Sequence, residues 1–256
     1  MLLCTVRDCR EKLARDGNRL VCAAGHCFDF SHDGYVNLLQ PQDKRSRTPG
    51  DPAEAVAARR RLHDRGLSLP LLEGIAAMVP MQAGDNLLDV GCGEGFYAGN
   101  LALRFGAHAW GVDLSTPAVR AAARRYPASN WLIANADRFL PYASARFRVV
   151  LSVTARLHPG EFRRVLRADG KLLVAVPAPD DLVELRGPGP NRITRVVEML
   201  EPLFEMEEQH CIRASAALDA DAVRDVQVAI YRPMQTEAAR PMQLTFSLHA
   251  GLFRPR

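Results

Sequence analysis

The sequence predicts an α/β protein, a mostly parallel sheet with helices on both faces, preceded by a small metal-binding ribbon. Three observations carry this. Apolar runs of strand length alternate with helical patterns from Leu87 to Val176, the order that builds a parallel sheet from βαβ units. A glycine-rich turn, Gly91-Cys92-Gly93-Glu94-Gly95, follows the first of these runs, and four of the six cysteines fall within the first 27 residues with His26 among them. The 256 residues suffice for one full α/β domain and an appendage. Hydrophobic residues at 48% and charged ones at 24% are those of a globular chain rather than a disordered one. No apolar run reaches the ~18 residues of a membrane span, and Met1 to Val6 is too short for a signal peptide before Arg7. The expectation is a cytoplasmic protein with no membrane partner.

Taken in order, residues 1–39 read as a zinc-binding ribbon. The spacing Cys4-x4-Cys9-x12-Cys22-x3-His26 brings two pairs of soft ligands together on two short turns, as a tetrahedral zinc requires. In a cytoplasmic chain this points to metal rather than disulfides, and the ion would stabilise a segment too short to make its own core. Cys27 is an alternative to His26 as fourth ligand, and scattered buried thiols are the plainer reading. Cys92 and Cys211 do not suggest a catalytic thiol. Gly34 to Leu39 is a short ordered run.

Residues 40–70 read as a basic connector and helix. Lys44, Arg45 and Arg47 precede a helix that starts near Ala53, with Asp51 as candidate N-cap, and that carries Arg59, Arg60 and Arg61. The first 66 residues hold 12 Lys and Arg against 9 Asp and Glu, so most of the net +4 lies there. Such cations fit the phosphates of a polyanion; the second cluster is equally readable as the wet face of an amphipathic helix.

Residues 71–256 form the α/β domain. Leu87, Leu88 and Val90 read as a buried strand, Gly91, Gly93 and Gly95 as a tight turn, and Phe96 to Phe105 as a helix. Trp110 to Leu114 supplies a second strand with Asp113 placed 22 residues after Gly91, where a carboxylate accepts from a ribose diol. Phe96 stands where a dinucleotide fingerprint needs its third glycine. Asp89 and Glu94 flank the turn, and their charge opposes a pyrophosphate but suits an ammonium and a sulfonium. S-adenosylmethionine is such a ligand. The set Asp89, Gly91, Gly93, Gly95 and Asp113 resembles the first two motifs of the Rossmann-like methyltransferases, against the alternative of an ordinary packed βα turn.

Trp131 to Asn135 reads as the third strand. Asp137 follows it, either as an acceptor for an adenine amine or as a turn residue. Phe147 to Val153 is the fourth strand, Glu161 to Leu166 a helix, Asp169-Gly170 a turn and Lys171 to Val176 the fifth strand. Ile193 to Leu203 and Asp219 to Tyr231 read as helices, with Glu205 to Ile212 and Gln243 to Leu248 as antiparallel strands that complete the sheet.

The Cys4 to His26 run, Gly34-Tyr35-Val36-Asn37-Leu38-Leu39, Lys44-Arg45-Ser46-Arg47, Pro49-Gly50-Asp51, Ala58-Arg59-Arg60 and the glycine turn together resemble the RlmA-type 23S rRNA guanine-N1 methyltransferases. The likeness covers about residues 4 to 185. It implies a zinc ribbon that recognises an RNA hairpin, a Rossmann-like S-adenosylmethionine domain, 23S rRNA or a ribosomal assembly intermediate as partner, and often a homodimer. It also implies a cofactor contact at position 181, where Asp181 stands in place of the family's His. Ser68 replaces an aromatic residue, and a Met-Thr-Pro-Phe motif expected near Arg232-Pro233-Met234 is missing. Guanine N1 must lose a proton before it attacks a methyl, and the base must leave its stack. Arg156 and His158, beyond the fourth strand, are the candidates for that step, with His158-Pro159-Gly160 otherwise only a helix-start turn. The expected activity is methylation of N1 of a guanine in a 23S rRNA hairpin. The alternatives are a non-catalytic RNA- or ribosome-binding relative and a small-molecule methyltransferase.

Overall fold

The computed structural model describes residues 1–43, 50–229 and 238–256. In the ribbon, β1 (Leu2–Leu3), β2 (Lys12–Asp16), β3 (Arg19–Cys22) and β4 (Cys27–Asp29) pair antiparallel in that order. β5 (Val36–Asn37) then leaves the ribbon and pairs in parallel with the edge of the main sheet, Val36 opposite Leu132 and Asn37 opposite Ile133. Helices α1 (Ala53–Asp64) and α2 (Leu69–Met78) lead into the α/β units. These are β6 (Asn86–Val90), α3 (Phe96–Phe105), β7 (His108–Asp113), α4 (Thr116–Arg125), β8 (Asn130–Ile133), β9 (Phe147–Val153), α5 (Pro159–Val165) and β10 (Leu166–Pro177). The chain ends with α6 (Val183–Arg186), α7 (Arg192–Leu200), β11 (Phe204–Leu218), α8 (Ala220–Ala229) and β12 (Met242–Pro255).

The main sheet runs β11-β12-β10-β9-β6-β7-β8-β5. β5 to β10 are parallel to one another and β12 and β11 antiparallel to their neighbours, as the alternation of strands and helices and the two strands at the end lead one to expect. The central strands are buried on both faces, which is why they read as unbroken apolar runs. Their side chains alternate between two cores. Leu87, Val149, Leu151, Leu173 and Ala175 face one, with α2, α3 and α4. Leu88, Val90, Val150, Leu172 and Val174 face the other, with α5 and α7. Leu2, Cys4, Leu13, Leu20 and Cys22 of the ribbon belong to that second core, so ribbon and sheet share one hydrophobic interior. No helix among the described residues is long and apolar enough to cross a membrane.

Three local expectations need correction. Asp51 does not cap α1: Pro52 is the N-cap residue, without a side-chain bond, and the Asp51 carboxylate instead accepts from Arg59 at 2.7 Å. Asp169-Gly170 is not a turn between helix and strand but an irregularity inside β10, whose register against β9 shifts between Leu166 and Lys171. The final hairpin is longer than its apolar pattern, because Ala214 to Leu218 and Met242 to Phe246 pair beyond the end of β10. That overhang packs with α1, α6 and α8 in a third apolar cluster containing Leu62, Leu182, Leu218, Val223 and Leu244, a roof over the carboxyl ends of the strands.

Two glycines of the turn are required sterically. A Cβ on Gly91 (φ +78°) would meet the Ala155 Cβ at 2.5 Å, and one on Gly95 (φ +77°) would meet the Trp131 ring at 2.5 Å. Gly95→Ala is therefore expected to cost about 1–3 kcal/mol through overpacking, read as a lower urea midpoint at unchanged slope. An unchanged midpoint contradicts this packing.

Candidate cofactor site and metal centre

The carboxyl ends of β6, β7 and β8 lie side by side at one rim of the sheet. After β6 the chain turns through three glycines with positive φ before α3 begins at Phe96. Asp113, at the end of β7, accepts from Gly93 N–H with Oδ2 at 2.9 Å and from Ser115 N–H with Oδ1 at 2.8 Å. Each oxygen keeps a second lone-pair direction, so the carboxylate is oriented and still able to accept from a diol. Burial raises the Asp113 pKa, opposed by these two N–H groups. Asp89, 2% exposed, lies behind the turn; burial, and secondarily the Asp113 charge, push it up to about 7. A buried acid held near neutrality is a site that a cation completes. Small residues at the turn, an oriented diol acceptor and a buried acid fit S-adenosylmethionine in the acceptor groups they offer.

Glu94 occupies a different place. It is 2% exposed, neither carboxyl oxygen has a hydrogen-bond partner among the described residues, and it faces α1. His63 Nε2 lies 3.7 Å from Glu94 Oε1. Burial pushes Glu94 up to about 7, against Arg125 and Arg59, and pushes His63 down to about 3, with Arg59 and Arg125 adding to it. His63 also stacks on Phe96 at 4.0 Å and shares a 2.7 Å hydrogen bond with Ser68 Oγ. Ser68, substituted for an aromatic, thus completes the packing of α1 over the glycine turn. Sequence alone does not single out His63 because Phe96 and Glu94 are distant along the chain; Ser68, just beyond Gly66, is the one local signal.

The other expected residues are distributed around the rim. Asp137 accepts from Arg156 at 3.0 Å, with the two side chains 40% and 74% exposed. His158 is the N-cap of α5, its Nδ1 accepting from Glu161 N–H at 3.4 Å. Asp181, beyond β10, accepts from Ser247 N–H at 2.9 Å and pairs with Arg186. Arg59 donates to Asp51 and, at 3.2 Å, to the Ala229 carbonyl, and its Nη1 is the nearest group to the open side of Gly93. Arg60 is more exposed, 3.8 Å from Asp64. Lys44, Arg45 and Arg47 lie outside the described residues.

The ribbon brings its ligands together on two turns. Donor atoms of Cys4, Cys9, Cys22 and His26 lie within 4.8 Å of one another. His26 Nδ1 is 3.5 Å from Cys4 Sγ and 3.4 Å from Cys22 Sγ, and the Cys9 and Cys22 sulfurs are 3.9 Å apart. Tetrahedral bonds of ~2.3 Å to sulfur and ~2.0 Å to nitrogen require separations of about 3.8 Å between sulfurs and about 3.5 Å between sulfur and nitrogen. The set fits zinc. His26 rather than Cys27 is the fourth donor, since Cys27 is exposed and outside the cluster. Cys27→Ser is expected to keep one zinc per chain and Cys22→Ser to lose it, measured by metal analysis of the purified proteins; zinc lost from Cys27→Ser contradicts the assignment.

The family described as "Methyltransferase domain" matches residues 87–173, and that described as "RlmA, N-terminal", a zinc ribbon, matches residues 3–47. The 23S rRNA (guanine(748)-N(1))-methyltransferase of Streptomyces fradiae is 35% identical over 226 residues, 84% of this chain and 80% of that protein. A candidate 23S rRNA (guanine-N(1)-)-methyltransferase of Micromonospora griseorubida is 38% identical over 183 residues, 65% of this chain and 61% of that protein. Among solved structures, a TehB-like S-adenosylmethionine-dependent methyltransferase from Corynebacterium glutamicum superposes with a TM-score of 0.51 at 17% identity, over 80% of this chain and all of that one, which shows the fold. With the ribbon, the donor set and the glycine crevice in place, the chain belongs to the RlmA-type family of 23S rRNA (guanine-N1)-methyltransferases.

Proposed function

We propose that this protein methylates N1 of a guanine in a 23S rRNA hairpin, with the ribbon and the basic segment holding the RNA. S-adenosylmethionine, when bound, supplies a methyl already activated on a sulfonium, so the protein needs no covalent step. The chain's own work is alignment and exclusion of water. Asp113 orients a ribose, Asp89 favours a cation beside the turn, and α1, locked by His63 on Phe96, covers the crevice. In this reading Asp137, in the loop after β8, is the acceptor for an adenine amine, and Arg156 is its partner within the chain. The observation that carries the reading is the ribbon's union with the methyltransferase sheet through β5 and a shared core. A small-molecule enzyme has no need of a rigid platform there, whereas an RNA enzyme must hold a hairpin at fixed distance from its crevice.

A non-catalytic relative is disfavoured by the intact turn, the oriented Asp113 and the buried Asp89. The partner is 23S rRNA, free or in a ribosomal assembly intermediate; a homodimer and a cytoplasmic location accompany this reading through the family resemblance. Incubation with labelled cofactor and unmodified 23S rRNA, followed by primer extension, tests it. A single strong stop at a guanine is expected, because N1 methylation blocks base pairing; incorporation into no RNA contradicts it.

Cofactor binding carries a pH signature. Below about pH 7 the free protein holds Asp89 protonated, and a cation beside it favours the carboxylate, so binding releases a proton. Affinity should rise with pH by up to about tenfold per unit until about pH 7 and then level off. Asp89→Asn should bind more weakly at high pH and lose that slope, which separates Asp89 from Glu94. Calorimetry between about pH 5.5 and about pH 8.5 reads both effects; an unchanged slope in the variant contradicts the assignment.

A further inference from the structure

The rim of the sheet is divided into halves. The segments suited to the cofactor follow β6, β7 and β8; those after β9 and β10, with the start of β12, line the other half. The chain crosses back between β8 and β9, so the crevice between β6 and β9 is the topological switch point at which such sheets bind ligands. Strands are spaced about 4.8 Å apart, so a base seated over β9 and β10 lies next to a group seated over β6. Backbone strain marks this half. Thr154 and Leu182 adopt φ of +55° and +51°, the left-handed region that a β-branched residue such as Thr enters only when its surroundings impose it.

Leu182 is held there by donating its N–H to the Thr245 carbonyl at 2.7 Å, which fixes the residue before it. Asp181 Oδ1 accepts from Ser247 N–H at 2.9 Å, Oδ2 accepts from Arg186 Nη2, and Arg186 Nε donates to the Asp181 carbonyl at 3.1 Å. The two side chains are 13% and 31% exposed. A carboxylate and a guanidinium are thereby held side by side, and each carboxylate oxygen retains one acceptor direction. Arg186 Nη1 makes no hydrogen bond within the described residues. The neighbouring acid Glu184 is occupied by Thr245, through N–H and hydroxyl.

The Watson–Crick edge of guanine presents, in a row, the N2–H donor, the N1–H donor and the O6 acceptor. Resting on the guanine-N1 reading above, we propose that the Asp181–Arg186 pair reads this edge, Oδ1 accepting from N2–H, Oδ2 accepting from N1–H, and Arg186 donating to O6, and that Asp181 receives the N1 proton. The N1–H bond breaks with its electron pair staying on N1 and its proton passing to the carboxylate. That pair forms the N1–C bond as the methyl's bond to sulfur breaks, leaving S-adenosylhomocysteine, and Asp181 later gives the proton to water. Asp181 thus serves the substrate rather than the cofactor. Burial raises its pKa, opposed by Ser247 N–H and Arg186, with Asp180 adding to the rise, which strengthens it as a base. Asp180 is itself paired with Arg213 at 3.1 Å, and the partly buried Tyr97 feels the charges of both Asp89 and Asp181. A second carboxylate–guanidinium pair at this rim, Asp137 with Arg156, joins the segment after β8 to the segment after β9 and is far more exposed.

The test is steady-state methylation, by the full-length protein, of a 23S rRNA hairpin that the unaltered enzyme modifies, with cofactor affinity measured in parallel. Asp181→Asn is expected to lower kcat by about 10²–10⁴-fold at unchanged cofactor affinity. Its rate should keep rising with pH where the unaltered enzyme has levelled off, because the base must then ionise unaided. Turnover within about threefold of the unaltered enzyme, with the same pH profile, overturns the proposal. Should the Asn variant lose cofactor binding through misfolding, Arg186→Gln decides: a fall in kcat of about tenfold or more supports the pair, and unchanged kcat overturns it. An unaltered enzyme that modifies no guanine in 23S rRNA overturns the function reading itself, and this proposal with it.

Discussion

The Asp113 to Gly93 hydrogen bond is the contact on which the rest of the site depends. It ties the end of β7 to the turn after β6 at 2.9 Å. Because the turn is left-handed at three glycines, its backbone reaches the carboxylate while α3 still starts within the domain core. Ala155 and Trp131 close on the turn from either side, leaving no room for a Cβ at Gly91 or Gly95. One local geometry therefore sets where a ribose diol can be met and where the acid Asp89 is buried.

The ribbon extends this arrangement outward. Its zinc ligands sit on turns whose strands feed the same core as Leu88 and Val90, and β5 adds the ribbon's end to the sheet beside β8. A module of fewer than forty residues cannot bury much apolar area alone; metal and sheet supply what it lacks. The consequence is mechanical, since a rigid junction fixes the distance between whatever the ribbon grips and the crevice. On the opposite side, α1, α8 and the overhanging hairpin form a roof held by Leu62, Val223 and Leu244 and by ion pairs such as Arg61 with Asp225.

The parts legible in the sequence were those with short-range signatures. Periodicity located β6 to β9, α3 and the second half of β10 within a few residues, because strands buried on two faces leave unbroken apolar runs. The spacing of Cys4, Cys9, Cys22 and His26 announced the metal, since two ligand turns are local motifs. What was hidden depends on contacts between distant residues. His63 with Glu94, the roof cluster, and the orientation of Asp181 by Ser247 and Arg186 leave no periodic trace. Asp51 looked like a cap from its position, but Arg59, one helical face away, offered the carboxylate a stronger charged partner. Arg59, expected among the RNA contacts from its neighbours in sequence, also bonds Asp51 and the Ala229 carbonyl above the turn, partners that no local pattern announces.

The most direct measurement of the central claim, that the rim is shared between a cofactor half and a substrate half, is a crystal structure of the protein with S-adenosylhomocysteine. The ribose hydroxyls are expected on the Asp113 carboxylate and the ligand over the ends of β6, β7 and β8 alone, with the Asp181–Arg186 pair untouched. A ligand lying across β9 and β10, or touching Asp181 in place of Asp113, would contradict it.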